Sequence, residues 1–188
     1  MSRTFLMKFS NDDSRDALDR IGGIPVQRPE TIPRNPHSGE ELAFLAQFQI
    51  DPDKFQVKET LLVQIYQDPD FDSHRIPVAI TIKDNDPINT GYPGRVYDGL
   101  PSLAIQWEER YEEIDPENED DIDDLPLEEE FLYQASKAGG CCYINTAIDP
   151  DDIFLLQLNE NDIMERIFGG LFLILFINKK NEIQVRLG

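Results

Sequence analysis

The longest uninterrupted apolar run in the chain is Leu171-Phe172-Leu173-Ile174-Leu175-Phe176-Ile177. A helix crossing a bilayer needs about 20 such residues, so this run is too short to span one. Its length and its Ile and aromatic content predict a strand buried on both faces. Asn178-Lys179-Lys180-Asn181 reads as a turn into Glu182–Leu187, where Ile183, Val185 and Leu187 alternate with Glu182, Gln184 and Arg186. A second apolar run, Ile153–Leu158, lies just upstream. Earlier in the chain the pattern predicts a strand over Met1–Phe9 and a helix over Asp12–Ile21. Ser10 or Asn11 is the candidate cap of that helix, and Gly22-Gly23 stops it. Pro25, Pro29, Pro33 and Pro36 make Ile24–Pro36 an ordered loop or extended chain. Apolar runs follow at Glu41–Asp51 and Leu61–Gln67. Strand patterns follow at Ile76–Lys83 and at Leu103–Trp107, continuing to Ile114. Asp84–Gly94 is turn-rich, Phe131–Lys137 reads as a short helix, and Cys141–Ile148 reads as extended.

The apolar runs come in two matching pairs. Phe44-Leu45-Ala46-Gln47-Phe48 matches Phe154-Leu155-Leu156-Gln157-Leu158. Fourteen residues beyond Gln47 lies Leu61, and fourteen beyond Gln157 lies Leu171. Each pair follows a diglycine, Gly22-Gly23 in one half and Gly139-Gly140 in the other. One order of motifs used twice predicts a duplicated sheet unit, because two small units together can bury more than either alone. Gln47 and Gln157 interrupt apolar runs, and a buried amide without partners costs about 1–3 kcal/mol. Each is therefore expected to tie the backbone of a neighbouring loop, with a ligand contact as the alternative.

Charge adds a second layer. The 188 residues carry 37 acidic and 17 basic side chains, a net charge of −20. Nucleic acid and anionic membrane surfaces are both repelled by such a chain. A basic protein partner, a cation or simple solvation remain. The charge concentrates in Glu108–Glu130, where 14 of 23 residues are acidic and Arg110 is the sole basic one. Ile122, Leu125 and Leu127 punctuate this segment. The start of the chain, MSRTFLMKFSNDD, has no apolar core of signal-peptide length, and no membrane span is visible. Cys141 and Cys142 are adjacent, so they cannot form a disulfide framework. A soluble, cytoplasmic protein is expected.

Motifs that would name a reaction are absent. His37 lies in the Pro-rich loop and His74 follows Asp70-Phe71-Asp72-Ser73, and neither has zinc-ligand spacing. His74 with Asp70 or Asp72 is the one candidate acid–base pair, and it defines a hydrolase reading. Cys141 and Cys142 have no His or basic residue beside them in sequence to activate a thiol, and read as small apolar fillers. Gly22-Gly23 and Gly169-Gly170 lack the spacing of a dinucleotide fingerprint. Asp115–Asp124 alternates like a calcium loop for a few positions but lacks the turn glycine. No cofactor and no metal are expected.

Ile21-Gly22-Gly23-Ile24-Pro25, the Pro-rich loop and Leu42–Asp51 resemble the first half of the bacterial YwqG-like proteins. The second diglycine, Ile153–Leu158 and Phe168-Gly169-Gly170-Leu171-Phe172-Leu173 resemble their second half, so the likeness runs from about Arg20 to Asn178. One departure is that Gly140 is followed by Cys141-Cys142-Tyr143-Ile144-Asn145, where the family usually carries a Gly-Tyr-Pro-like element. The resemblance implies an α+β fold, with antiparallel sheets, a few short helices and an internally duplicated sheet unit. The expected organisation is a single domain over 1–188. Its two related halves, about 20–107 and 131–188, are joined by the acidic segment 108–130. The resemblance implies no enzymatic activity, and it implies an association with bacterial toxins as an immunity protein. The expected partner is thus a cognate toxin domain with a basic surface, such as an ADP-ribosyltransferase or a nuclease. Its charged contacts would be Glu117, Glu119, Asp120, Asp121, Asp123 and Asp124, with Ile122, Leu125, Trp107 and Tyr111 as apolar anchors. The alternative is a small-molecule or peptide-binding module using the Gly/Pro-rich loops at Gly22–Pro36 and Gly91–Gly94.

Overall fold

The computed structural model describes residues 2–11, 17–69, 77–82, 91–97, 99–113, 125–143, 149, 151–163, 167 and 172–188. Among these residues ten strands are formed: β1 (Ser2–Ser10), β2 (Arg20–Ile21), β3 (Ala43–Ile50), β4 (Leu61–Gln67), β5 (Val78–Ile82), β6 (Leu103–Glu112), β7 (Lys137–Gly139), β8 (Ile153–Asn159), β9 (Phe172–Ile177) and β10 (Ile183–Leu187). The α+β expectation is corrected. Strand makes up 46% and helix 8%, so the protein is mostly antiparallel β. Among the described residues the sole α-helix is α1, Leu127–Gln134, with a 3-10 turn at Glu160–Ile163.

Two expected helices change for physical reasons. The expected helix at Asp12–Ile21 lies partly outside the described residues, but Arg20–Ile21 is a strand. It hydrogen-bonds between β3 and β6, and that pairing overrides local capping signals. The helix expected at Phe131–Lys137 instead runs Leu127–Gln134. Pro126 opens it and Glu128, Glu129 and Glu130 sit at its positive end. Ala135 leaves it in extended backbone, with φ −66° and ψ 157°.

The chain forms two compact units. The first gathers Met1–Lys8, Pro52–Gln56 and Trp107–Gly188, with the strand order β10-β9-β8-β7-β1. The second gathers Phe9–Asp51 and Val57–Gln106, with the order β5-β4-β3-β2 and then the start of β6. The first unit therefore takes β1 from the far end of the sequence, while the second ends on the start of β6, contiguous with its own stretch. β1 pairs with β7 through Leu6 and Lys137, while β6 pairs with β2 through Ala104 and Arg20.

Registers within the two units correspond residue by residue. Arg20 faces Gln47 across β2 and β3, as Lys137 faces Gln157 across β7 and β8. The β3–β4 ladder slips between Phe44 and Ala46, and the β8–β9 ladder slips between Phe154 and Leu156. Each bulge thus falls at a leucine, Leu45 or Leu155, that is fully buried. β9 is buried from Leu173 to Ile177, which explains its unbroken apolar sequence. Asn178 Oδ1 closes the following turn by accepting from the Lys180 and Glu182 amides, at 2.9 and 3.0 Å. Asn181 takes the left-handed conformation there, at φ 63°.

Correspondence also exposes a difference. Gln67 is paired with Ala43 as Ile177 is paired with Ile153. Gln67 is fully buried, and among the described residues neither atom of its amide has a hydrogen-bond partner. Replacing Gln67 by Ile, the residue at the matching place in the other half, should stabilise the protein by about 1–2 kcal/mol in urea unfolding. Loss of stability would show that the amide has a partner that matters.

The diglycines explain themselves sterically. Gly22 has φ +67°, and a Cβ there would fall on the carbonyl oxygen of Pro101. Gly39 has φ +74° but open space around it. Gly39→Ala should therefore cost about 1 kcal/mol for the backbone conformation alone. Gly22→Ala should cost at least about 3 kcal/mol, because an overpacking clash adds to it. Equal losses in the two variants would remove the close approach at Pro101 from the account.

Candidate functional site

Two kinds of chemistry are gathered: polar groups sealed inside each unit, and carboxylates displayed outside. The sealed groups begin from the strand that precedes each diglycine. In the first unit Lys137 enters the interior from β7 and forms an ion pair with Glu112 at the end of β6. Both side chains are entirely removed from solvent. Glu112 Oε2 also accepts the Cys141 amide at 2.7 Å, which Gly140 permits because any Cβ there would collide with the carboxylate. The Lys137 ammonium lies 4.8 Å from the centre of the Tyr133 ring. Burial pushes the Lys137 amine below its ordinary range, and the Glu112 charge and hydrogen bond oppose that fall.

Beside this pair, the buried Gln157 amide donates to Tyr133 O at 2.6 Å and Ala135 O at 2.9 Å, and accepts the Tyr143 amide at 2.8 Å. It thus ties the end of α1 and the loop after the diglycine to β8. Gln47 does the same in the second unit. It donates to Leu18 O at 2.9 Å and accepts from the Val26 amide at 3.1 Å. Here the network extends further. Gln64 donates to Gln47 Oε1 at 3.0 Å and to Gln27 O at 2.7 Å, and Tyr66 donates to Gln64 Oε1 at 2.8 Å. Burial raises the Tyr66 phenol and pushes Tyr92 up to about 12, so both stay protonated.

These sealed groups can hold loops and keep protons in place. A solvent-borne substrate has no access to Lys137, Glu112, Gln47 or Gln157, all of which are buried. The Gly/Pro-rich loops likewise fill their own space. Tyr92 and Ile32 pack on Leu42, Phe44 and Tyr66, and the Tyr92 ring and Ile32 occupy the room beside Gly94.

The displayed groups lie along the exposed end of β6. Arg3 donates to Glu109 through Nε at 2.9 Å and Nη2 at 3.2 Å, and the Tyr111 hydroxyl donates to the same carboxylate at 2.8 Å. The Arg3 hydrogen bond, followed by that of Tyr111, holds Glu109 below the usual carboxylate range. Lys8 pairs with Glu108 at 3.2 Å, and Arg110 also pairs with Glu108. Tyr111 is 53% exposed on this acidic surface.

Among the expected anchors, Trp107 is half-buried, edge-on to Phe55 at 6.3 Å and 5.3 Å from Lys54 Nζ. It packs within its own unit, whereas Tyr111 faces out. Leu125 is half-buried. Glu117, Glu119, Asp120, Asp121, Ile122, Asp123 and Asp124 lie outside the described residues, as do His74, Asp70, Asp72 and the calcium-like stretch Asp115–Asp124. Among the described residues no group of three His, Cys, Asp or Glu side chains is placed to hold a metal ion.

Sequence reasoning missed the Lys137–Glu112 pair, and it placed no basic residue near the cysteines. In fact Lys137 interacts electrostatically with both Cys141 and Cys142. A signal was present: Lys137 stands two residues before its diglycine, as Arg20 does before Gly22. No protein-family model matches this chain, and no curated protein matches it. No helix among the described residues is long and apolar enough to cross a membrane.

Glu112→Gln should cost about 3–5 kcal/mol in denaturant unfolding, the loss typical of a buried pair deprived of one partner. Without the Glu112 charge the folded pKa of Lys137 falls further below 10.5. The unfolded chain then binds more protons than the native one between that value and 10.5, so the variant should regain stability as pH rises through that window. A loss below about 1 kcal/mol with a flat pH profile would mean the pair contributes little.

Proposed function

We propose that this chain is a cytoplasmic, non-catalytic immunity protein of the YwqG-like type that blocks the catalytic domain of an antibacterial toxin. The toxin is one whose cleft is lined with Lys and Arg, as suits an enzyme acting on NAD or nucleic acid. The observation that carries the reading is charge: −20 over 188 residues, with 14 carboxylates within Glu108–Glu130. Carboxylates on a surface of this sign speed encounter with a cationic cleft and disfavour wrong partners. The sealed interior supports the same reading. Its polar groups serve loops and strands, so the exterior is left as the place where specificity resides. Glu109 and Tyr111 form a fixed acidic and aromatic patch there, joined in sequence to Glu117, Glu119, Asp120, Asp121, Asp123 and Asp124.

The test is co-expression with the toxin-like product of a neighbouring gene. Cells should survive with the wild-type chain, and the purified complex should weaken at least about tenfold as salt rises from roughly 0.05 to 0.5 M. Replacing the acidic residues of Glu117–Asp124 by Asn and Gln should abolish protection while leaving the thermal transition within a few degrees of wild type. Salt-insensitive association would defeat the charge argument. A measurable turnover lost on His74→Ala would replace the reading with a hydrolase.

A further inference from the structure

Helix α1 is inside out. Tyr133 is its buried residue, 1% exposed, and fixes the helix to the first unit beneath Lys137. At 100° per residue, Phe131 and Leu127 point away from Tyr133, one turn apart on the same face. They are 57% and 82% exposed, the two most exposed large apolar side chains among the described residues. Glu128 is exposed beside Phe131 on this outer side, Glu129 and Glu130 are half-buried toward the Tyr133 side, and the last turn has no basic residue. An apolar pair on the outer face of a short helix gains nothing for folding, and such patches mark contact surfaces.

We infer that the outer face of α1, Leu127 with Phe131 beside Glu128, docks a cationic amphipathic segment of a protein partner. This surface rests on the proposed acidic binding role and adds to it an apolar anchor that the charge argument lacks. The occupant follows from complementarity. Two large apolar groups require apolar surface opposite, and the exposed Glu128 carboxylate beside them, on a chain of net charge −20, favours positive charge. A second copy of this chain brings another −20 and is repelled, as are nucleic acid and anionic lipid. The apolar pair would supply the retention and Glu128 with the chain's net negative charge the orientation, since buried apolar anchors dominate affinity where rim charges dominate the rate of encounter.

The probe is a helical Leu/Lys peptide of about 18 residues with one apolar face, compared with oligolysine of equal charge. Amide shifts of the isotope-labelled full chain would be followed at low salt. The amphipathic peptide should bind more tightly than oligolysine and should move the amides of residues 127–134. Leu127→Ser with Phe131→Ser should weaken it about tenfold, with little change for oligolysine. Val96→Ser, at an exposed apolar residue in the second unit, should change neither. Because the two α1 side chains are exposed, the variant should fold, and an unchanged amide spectrum outside α1 verifies this. Equal binding of the two peptides, equal binding by the double variant, or shifts centred elsewhere would each overturn the inference. A toxin held equally by wild type and double variant would also overturn it while leaving the immunity reading intact. The expected peptide result without protection from any toxin would keep this surface and remove that reading.

Discussion

A single amide placed inside an apolar strand governs how each unit is built. Gln47 and Gln157 sit where the surrounding sequence is dry, and each must satisfy a donor and an acceptor there. Each does so by holding backbone on both sides: the approach to its diglycine strand and the loop that leaves it. The loops have few apolar residues with which to dock themselves. The glutamine gives them a fixed address, and a fixed backbone lets the diglycine make its close contacts. Without that amide, apolar strands would still form, but the loops would lose the attachment that holds both their ends to one strand position.

Matching registers carry different side chains in the two units. Beside Gln47 the next strand presents Gln64 and Tyr66; beside Gln157 it presents Ile174 and Phe176. The second unit therefore extends a hydrogen-bond chain across its strand, from Gln47 through Gln64 to Tyr66. The first unit packs Cys142 on Ile174 and Phe176 instead, and places its polar investment in Lys137 and Glu112. Each solution pairs the groups it joins, although the Gln67 amide of the second unit finds no hydrogen-bond partner among the described residues. A buried charge pair is weak support for stability by itself, because desolvation offsets much of the attraction. Its value here is positional: Glu112 also receives the Cys141 amide and so fixes the turn after the diglycine.

The proposed binding role rests on the exterior. Most of the buried polar groups described above serve backbone and one another. The exterior has an excess of carboxylates, an aromatic hydroxyl held at Glu109, and a helix whose apolar face turns outward. Such a division suits recognition of a protein surface, where steering by charge and anchoring by apolar groups are separable contributions.

Apolar runs and turn residues determined most of the strands by themselves. β9 and the turn to β10 were legible because seven apolar residues followed by Asn-Lys-Lys-Asn leave little choice. The matched spacing around Gln47 and Gln157 was legible for the same reason. The fold class was not. Short segments such as Arg20–Ile21 take their conformation from the strands on either side, and local signals pointed to helix. Nor could the sequence show that β1 completes the unit built from the second half, or that Glu112 meets Lys137 across 25 residues of chain. Those pairings depend on which surfaces become buried together. A hydrophobic pattern fixes what must leave water, and only tertiary contact decides which buried groups find each other.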